Sequence, residues 1–229
     1  VRAAHESQFK PSTDWRRNHF IWLGTTRPYD AFTFDFAANM HGIWVLGAYQ
    51  YNNNMSTWIV EAPAATWERA RADMEHLDEK QTLAFMEELW EDKLDGHRLV
   101  ANKSVWRVFP TIRCENWSHE NIVLLGDALH TAHYSIGSGT KLAMEDAIAL
   151  HDSFLETSDV PAALAHFEAA RREEVEITQH AGDVSVVWTE NPQRYWDMEP
   201  IQAAYSMLTR AKQVTHENLR LRDPIFIDR

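Results

Sequence analysis

The segment Asn121–Ser153 reads N-I-V-L-L-G-D-A-L-H-T-A-H-Y-S-I-G-S-G-T-K-L-A-M-E-D-A-I-A-L-H-D-S. It begins with a short apolar run, Ile122–Leu125, that stops at Gly126-Asp127, a length and an ending that predict a buried strand. A small, polar stretch with two glycines follows and leads into a pattern of helical period. The residues expected to share one face of this helix are Ala143, Ala147, Leu150 and Phe154. The segment therefore predicts a strand, an acidic turn, a glycine-rich loop and a helix.

A unit of this kind is suited to binding a ligand beyond the carboxyl end of its strand. Ligands of open α/β sheets bind at that position, and the free N–H groups of a helix start favour anionic or electron-rich ligand atoms. Glycines in the preceding loop let a ligand approach the backbone. The residues alone leave a second interpretation open for Asp127, because an aspartate after a strand often caps the turn that follows.

The pattern G-D-A-x-H…G-x-G…E-D-A in this segment resembles a flavin fingerprint of the FAD-dependent aromatic-ring monooxygenases, which are single-component flavoprotein hydroxylases. The resemblance implies that Asp127 binds a ribityl hydroxyl of FAD. It also implies that the backbone of Ser135–Lys141 lies against the pyrimidine edge of the flavin ring. The cofactor-binding residues implied in this way are Gly126, Asp127, Ser135, Gly137, Ser138, Gly139, Thr140 and Lys141.

Four departures from the family pattern point to a subgroup. Leu129 replaces the usual second alanine, His133 and Tyr134 replace the usual prolines, and Lys141 replaces the usual asparagine. With these changes Thr131–Leu150 is similar to the salicylyl-CoA 5-hydroxylase and 2-aminobenzoyl-CoA monooxygenase group. Two further stretches, Trp22–Phe34 and Thr215–Pro224, have the same resemblance. The chain also resembles, more distantly, a flavin-dependent tryptophan hydroxylase of violacein-type pathways.

The resemblance implies hydroxylation of an aromatic ring, with an aromatic acyl-CoA as the expected small-molecule substrate. NAD(P)H would reduce FAD, and the reduced flavin would react with O2 to a C4a-hydroperoxide whose distal oxygen is transferred to the ring. No protein nucleophile is needed, so no catalytic residue is assigned. The candidates for lining the flavin and substrate cavity are His133, Tyr134 and Arg27. For the first two a packing role is the alternative, and for Arg27 a place on a hairpin surface.

A phosphate-binding G-x-G-x-x-G turn after a strand does not occur in this chain, although such a turn opens an FAD domain. The chain starts at Val1-Arg2, and in the family these two residues end a further fingerprint. We therefore expect the C-terminal part of a hydroxylase, with an N-terminal FAD-binding half as its partner. We also expect weak FAD binding by the chain alone and an exposed apolar surface. A short chain that has lost flavin binding, as a non-catalytic remnant or interaction module, is the alternative.

Composition limits the remaining classes of function. The 229 residues are 45% apolar, enough for a core in one or two domains. No apolar run is long enough to span a membrane, and no signal-peptide core begins the chain. The net charge of −12 argues against a nucleic-acid partner. The single cysteine, Cys114, excludes an internal disulfide and fits a cytoplasmic location.

Competing chemistries have weaker patterns. His130 and His133 lie three residues apart with Glu145 and Asp146 nearby, but the H-T-A-H sequence lacks the H-E-x-x-H spacing of zinc helices, so no metal is expected. Ser138 in I-G-S-G-T does not have the spacing of a hydrolase elbow.

The predicted fold class is α/β, with α+β character in this chain. An antiparallel or mixed substrate-domain sheet precedes a strand–loop–helix FAD-binding segment and C-terminal helices. The predicted segments are 1–17, the end of the nucleotide-binding half and a connector; 18–115, a β-rich substrate domain with two helices; 116–157, the FAD-binding segment; and 158–229, a helical region.

Smaller features complete the expectations. Phe32, Phe34 and Phe36 alternate, which predicts one shared sheet face. Gly182 predicts the end of a helix that starts near Asp159, and Thr215–Arg229 is expected to be irregular. The arginines at 16, 17, 210, 220 and 222 could meet a CoA phosphate, with a solvated face as the alternative.

Overall fold

The chain divides into two compact units in the computed structural model, which describes residues 1–228. The sheet unit contains Arg17–Phe109 and Thr189–Asp197. The loop unit contains Val1–Arg16, Pro110–Trp188 and the residues from Met198 onward. The predicted substrate domain, 18–115, overlaps most of the sheet unit, and the other predicted segments fall mainly in the loop unit.

Strands and helices occur in consecutive groups along the chain. The strands are β1 (Pro11–Thr25), β2 (Thr33–Asn39), β3 (Gly42–Asn52), β4 (Met55–Ala62), β5 (Leu99–Val100), β6 (Arg107–Cys114), β7 (Ser118–His119) and β8 (Ile122–Val123). The helices are α1 (Glu6–Phe9), α2 (Ala64–Met74), α3 (Glu79–Leu89), α4 (Glu91–Leu94), α5 (Gly139–Glu156), α6 (Val160–Thr189), α7 (Pro200–Thr209), α8 (His216–Arg222) and α9 (Pro224–Ile227). None of the helices in residues 1–228 is long and apolar enough to cross a membrane.

The main sheet has the order β2-β3-β4-β1-β5, and β6 pairs with β1. Neighbours along this order are antiparallel where their register is defined. Side chains of alternate residues point to one face, and on β3 these include Trp44 and Leu46, which are both buried. They belong to one hydrophobic cluster with Trp67 of α2 and Met86 of α3. The predicted mixed fold with an antiparallel sheet is thus confirmed.

The face shared by Phe32 and Phe34 is confirmed by their ring contact, with centroids 5.0 Å apart. Both rings lie over Gly47, where a side-chain Cβ would be 3.7 Å from the Phe32 ring. The glycine therefore leaves room for the rings against the sheet.

The strand predicted at Ile122–Leu125 is shorter and less buried than expected. Only Ile122–Val123 forms β8, and both residues are half-buried. The physical reason is its pairing, because within the described residues β8 pairs only with the two-residue strand β7. Leu124 beyond it is buried in the hydrophobic cluster of the loop unit.

The face that Ala143, Ala147, Leu150 and Phe154 share on α5 is not the face that the structure buries. Ala147 and Phe154 are exposed, and the buried residues of this helix are Leu142, Asp146 and Ser153. A pattern of apolar residues does not reveal this buried face, because Asp146 lies at its centre. The carboxylate of Asp146 is held in the interior by hydrogen bonds.

The helix end predicted at Gly182 is also wrong, since α6 continues through it to Thr189. A Cβ at Gly182 would lie 3.1 Å from the backbone nitrogen of His133, so the glycine permits close packing of the helix on a loop. The residues that α6 buries include Leu164, Phe167, Val175 and Thr178.

The C-terminal segment is helical where irregular structure was predicted. Thr215 and Asn218 form a capping box that starts α8, and Asp223 accepts a hydrogen bond from the backbone of Phe226 at the start of α9. Such caps satisfy the N–H groups at a helix start, which explains the short helices. The final residue of the predicted segment, Arg229, lies outside the described residues.

Replacing Gly182 by valine tests the packing of α6 on the loop. We expect Gly182→Val to lower the free energy of unfolding by about 1–3 kcal/mol, because the new side chain overlaps the His133 backbone. Urea denaturation measures the change. Ala169→Val on an exposed position of the same helix is the control. Equal stability of the two variants would contradict this close packing.

Candidate functional site

The buried carboxylate of Asp146 connects three parts of the loop unit. Its Oδ2 accepts a hydrogen bond from the backbone nitrogen of Gly126 at 2.9 Å and lies 2.8 Å from Nε2 of His130. Its Oδ1 accepts a hydrogen bond from Nε of Arg171 on α6 at 3.2 Å. Burial by itself would raise the pKa of this carboxyl, but the hydrogen bonds from His130 and Gly126 outweigh it, so the pKa is lowered. Asp146 is therefore ionised at neutral pH.

The same network reaches the first turn of α5. Arg171 donates from Nη2 to Oε2 of Glu145 at 3.0 Å, and Glu145 also pairs with Lys141. Glu145 and Asp146, which the sequence places near two histidines as conceivable metal ligands, thus share an arginine. The other histidine of the pair, His133, accepts a hydrogen bond at Nδ1 from the backbone of Ser135.

Gly126 begins the turn after the short strand β8. Its backbone conformation and its neighbours in the chain both require a glycine at this position. Its φ of +55° is left-handed, and a Cβ would lie 3.0 Å from Cβ of Ala143. The adjacent carbonyl groups of Asp127 and Ala128 accept hydrogen bonds from Nη1 of Arg2 at 3.1 and 2.7 Å. The turn is thus bound by Asp146 on one side and by Arg2 on the other.

The carboxylate of Asp127 is exposed and makes no hydrogen bond or ion pair with the described residues. Its turn has no side-chain cap, so the capping role that the sequence leaves open is not seen here. The carboxylate is available to a ligand.

The glycine-rich loop faces open space. A Cβ at Gly137 or Gly139 would meet no atom of the described residues within 4 Å. Gly137 has a left-handed φ of +66°, which explains its glycine. Gly139 has no such backbone conformation and no close neighbour, so neither strain nor internal packing requires a glycine there.

The start of α5 lacks a side-chain cap. Ser138 is the N-cap residue, but its hydroxyl donates to the carbonyl of Ile136 at 3.3 Å instead of accepting from the helix. Thr140 and Lys141 are exposed. The free N–H groups of the first turn therefore adjoin the open space at Gly139.

His133 and Tyr134 lie together at the entry to the loop, with ring centroids 4.3 Å apart. His133 is buried, which lowers its pKa to about 3, and the charge of Arg16 adds to the effect. Because its Nδ1 accepts a hydrogen bond from Ser135, its proton is on Nε2. The imidazole therefore stays neutral at physiological pH and does not serve as a proton donor through an imidazolium form.

Arg27, the third candidate for the cavity, belongs to the sheet unit. Its Nη1 donates to the hydroxyl of Tyr29 at 2.7 Å, and the guanidinium lies 4.7 Å from the centre of that ring. Among the other arginines considered for a CoA phosphate, Arg220 and Arg222 are exposed on α8, whereas Arg210 bonds to the loop backbone at Ser135.

Known proteins resemble this chain in sequence along its whole length. It is 39% identical over 238 residues to salicyloyl-CoA 5-hydroxylase of Streptomyces sp, covering 100% of this chain and 46% of the relative. It is 40% identical over 169 residues to 3-hydroxy-4-methyl-anthranilyl-[aryl-carrier protein] 5-monooxygenase of Streptosporangium sibiricum, covering 74% and 44%. It is 32% identical over 205 residues to protodeoxyviolaceinate monooxygenase of Chromobacterium violaceum, covering 89% and 54%. The chain is related to the FAD-dependent aromatic monooxygenases.

The predicted resemblance is thereby confirmed. The chain spans about half the length of the curated relatives that it matches. No family model matches the chain. Its fold is similar to that of 2-methyl-3-hydroxypyridine-5-carboxylic acid oxygenase, with a TM-score of 0.62 at 18% identity, covering 90% of this chain and 56% of that one. A probable FAD-dependent monooxygenase from Pseudomonas aeruginosa has a TM-score of 0.55 at 20% identity, covering 80% and 52%.

Sequence reasoning missed the residues that support the loop. Asp146 stands in the E-D-A part of the pattern, and an acidic residue between buried Leu142 and Ser153 was the available signal for a bound carboxylate. Arg171 and Arg210 have no local signal, because their partners lie 25 and 75 residues away along the chain.

Replacing Asp146 by asparagine tests the network. We expect Asp146→Asn to lower the free energy of unfolding by about 1–3 kcal/mol, because the amide has one acceptor oxygen in place of two for the donors from Gly126, His130 and Arg171. Urea denaturation measures the loss. Asp152→Asn on an exposed position of α5 is the matched control and should change stability little. A similar small effect of both substitutions would show that the buried network contributes little.

Proposed function

We propose that this chain is the part of an FAD-dependent aromatic hydroxylase that binds the ribityl chain and ring of the flavin and forms the substrate domain. The observation that carries the proposal is Gly139, a glycine at the start of α5 that nothing in the described chain requires. A ligand that passes close to the backbone accounts for it.

The residues at this position fit a flavin. The carboxylate of Asp127 is unbonded and exposed, as expected for an acceptor of a ribityl hydroxyl. The N–H groups at the uncapped start of α5 suit electron-rich ring atoms. Both groups follow the short strand β8, in the order that the family pattern implies.

Bound FAD would supply the transfer of an oxygen atom from O2, with NAD(P)H as the reductant. The protein residues would orient and enclose the reacting groups. Asp127 would accept a hydrogen bond from a ribityl hydroxyl, and the backbone of Ser135–Lys141 would bind the edge of the ring. Asp146 fixes the turn that carries Asp127, since it binds the N–H of Gly126.

His133 and Tyr134 would border the ring at the entry to this loop. The neutral, buried imidazole contributes a shaped and dry wall, which favours transfer to substrate over loss to water. Arg27 on the sheet unit would contact a carbonyl or phosphate of the substrate after leaving the hydroxyl of Tyr29.

The substrate class that we propose is an aromatic acyl thioester. Two relatives have names in which an aromatic acyl group is joined to a large carrier, CoA in one and an aryl-carrier protein in the other. The loop Thr131–Lys141 of this chain departs from the usual prolines in the manner of the CoA group. A carrier binds at a distance from the reacting ring, and such remote binding energy helps to orient the ring.

The flavin contact is tested with two variants of the full-length protein that contains this chain. Asp127→Ala should weaken FAD binding by about 1–3 kcal/mol, because a buried ribityl hydroxyl loses its acceptor. Gly139→Val should also weaken binding while leaving stability unchanged, because its side chain enters open space. A fluorescence titration with FAD, beside thermal unfolding, measures both.

The control for this experiment is Asp152→Ala, which removes an exposed carboxylate elsewhere on α5. Undiminished FAD affinity in both test variants would contradict the proposal. It would then favour the alternative of a non-catalytic interaction module.

The substrate class is tested by product analysis with paired substrates. We expect the full-length protein to couple NAD(P)H oxidation to hydroxylation of salicylyl-CoA or 2-aminobenzoyl-CoA, and to use the free acids at least tenfold less well in kcat/KM, because they lack the binding energy of the carrier. Equal use of thioester and free acid would reject the thioester assignment. Activity only on tryptophan-like substrates would favour the violacein-type alternative.

A further inference from the structure

We propose that Arg210 is a positioning residue that sets the geometry of the flavin loop, His133–Gly139, from outside the site. This inference rests on the proposed function, since it concerns the loop that would lie along the flavin ring. Arg210 follows the last residue of α7 and lies 75 residues from the loop along the chain.

Ser135 is the residue at which the loop is anchored. Its backbone N–H donates to Nδ1 of His133 at 3.2 Å, its hydroxyl donates to Oγ of Ser185 at 3.0 Å, and its carbonyl accepts from Nη2 of Arg210 at 2.9 Å. All three polar groups of Ser135 are thus bonded, to the loop itself, to α6 and to the residue after α7.

The guanidinium of Arg210 is fixed at three points. Besides the carbonyl of Ser135, its Nε donates to Oγ of Ser185 at 3.0 Å and its Nη1 to the carbonyl of Met207 at 2.7 Å. The bond to Met207 ties the guanidinium to the end of its own helix. The planar fork therefore joins α6, α7 and the loop in one arrangement, which a lysine cannot reproduce.

The two ends of the loop differ in their surroundings, and this difference indicates how the hydrogen bonds of Arg210 act on the loop. At one end Gly182 of α6 brings the helix against His133, and Ser185 lies one turn further on the same helix. At the other end Gly137 and Gly139 face open space. The anchored end of the loop, at Ser135, therefore determines the position of the open end, at Gly137 and Gly139. Arg210 contributes to the anchor by its hydrogen bond to the carbonyl of Ser135, two residues before Gly137.

The test uses the full-length protein with Arg210→Gln, Arg210→Lys and the control Arg222→Gln, which changes an exposed arginine of α8. Hydrogen exchange of the amides of Ser135–Gly137 is measured without flavin. These amides bond within the loop, so we expect Arg210→Gln to accelerate their exchange roughly tenfold or more, as loss of a charged hydrogen bond allows. The control should leave it unchanged.

The second measurement is the FAD dissociation constant. We expect it to rise about tenfold in Arg210→Gln and to stay raised in Arg210→Lys, because the charge without the fork does not bridge the three acceptors. Ser185→Ala removes one of these acceptors, should shift both readouts in the same direction by less, and serves if Arg210→Gln fails to fold.

Three results would overturn the inference, and they are distinguishable. Unchanged exchange at Ser135–Gly137 would show that Arg210 does not restrain the loop. Faster exchange with an unchanged FAD dissociation constant, or full rescue by lysine, would reject the positioning role and leave the proposed function intact. Absence of FAD binding by the unsubstituted full-length protein would overturn the proposed function itself, and this role with it.

Discussion

A single buried carboxylate, that of Asp146, is the constraint on which the loop unit depends. A charge in the protein interior is costly unless hydrogen bonds and a counter-charge compensate it. Here the compensation comes from the turn at Gly126, from His130 and from Arg171. Gly126 and His130 lie on the turn segment and Arg171 lies on α6, whereas Asp146 itself lies on α5. Satisfying the carboxylate therefore also fixes the turn, α5 and α6 against each other. The turn then presents Asp127 outward.

The glycines of the loop unit occur for different physical reasons. Some are required by the fold and one is not. Gly126 is required by its backbone conformation and by Ala143, and Gly182 by the backbone of His133. Gly139 is required by neither. Glycines that look alike in the sequence therefore have different roles. The fold requires some of them, whereas at Gly139 the space beside the backbone is open.

The sheet unit and the loop unit differ in the residues that fill their interiors. The sheet unit has the larger cluster of buried aromatic side chains, with helices α2 and α3 packed on one face of the antiparallel sheet. The loop unit carries the polar network and the open loop. In the loop unit, Arg2, Asp146 and Arg210 bind backbone groups of the turn and the loop, and Arg171 binds the carboxylate of Asp146.

The sequence by itself determined the order of strand, turn, loop and helix, the antiparallel sheet and the relation to flavin monooxygenases. These depend on local patterns: apolar alternation, caps such as that at Asp78, and a motif within some thirty residues. Periodicity failed at α5 and Gly182 because packing between distant elements reversed the local preference there. Only the tertiary structure decided that Asp146 faces inward, that α6 continues through a glycine, and that Arg210 reaches Ser135. Each of these rests on a partner far away in the chain, and a local pattern carries no information about such a partner.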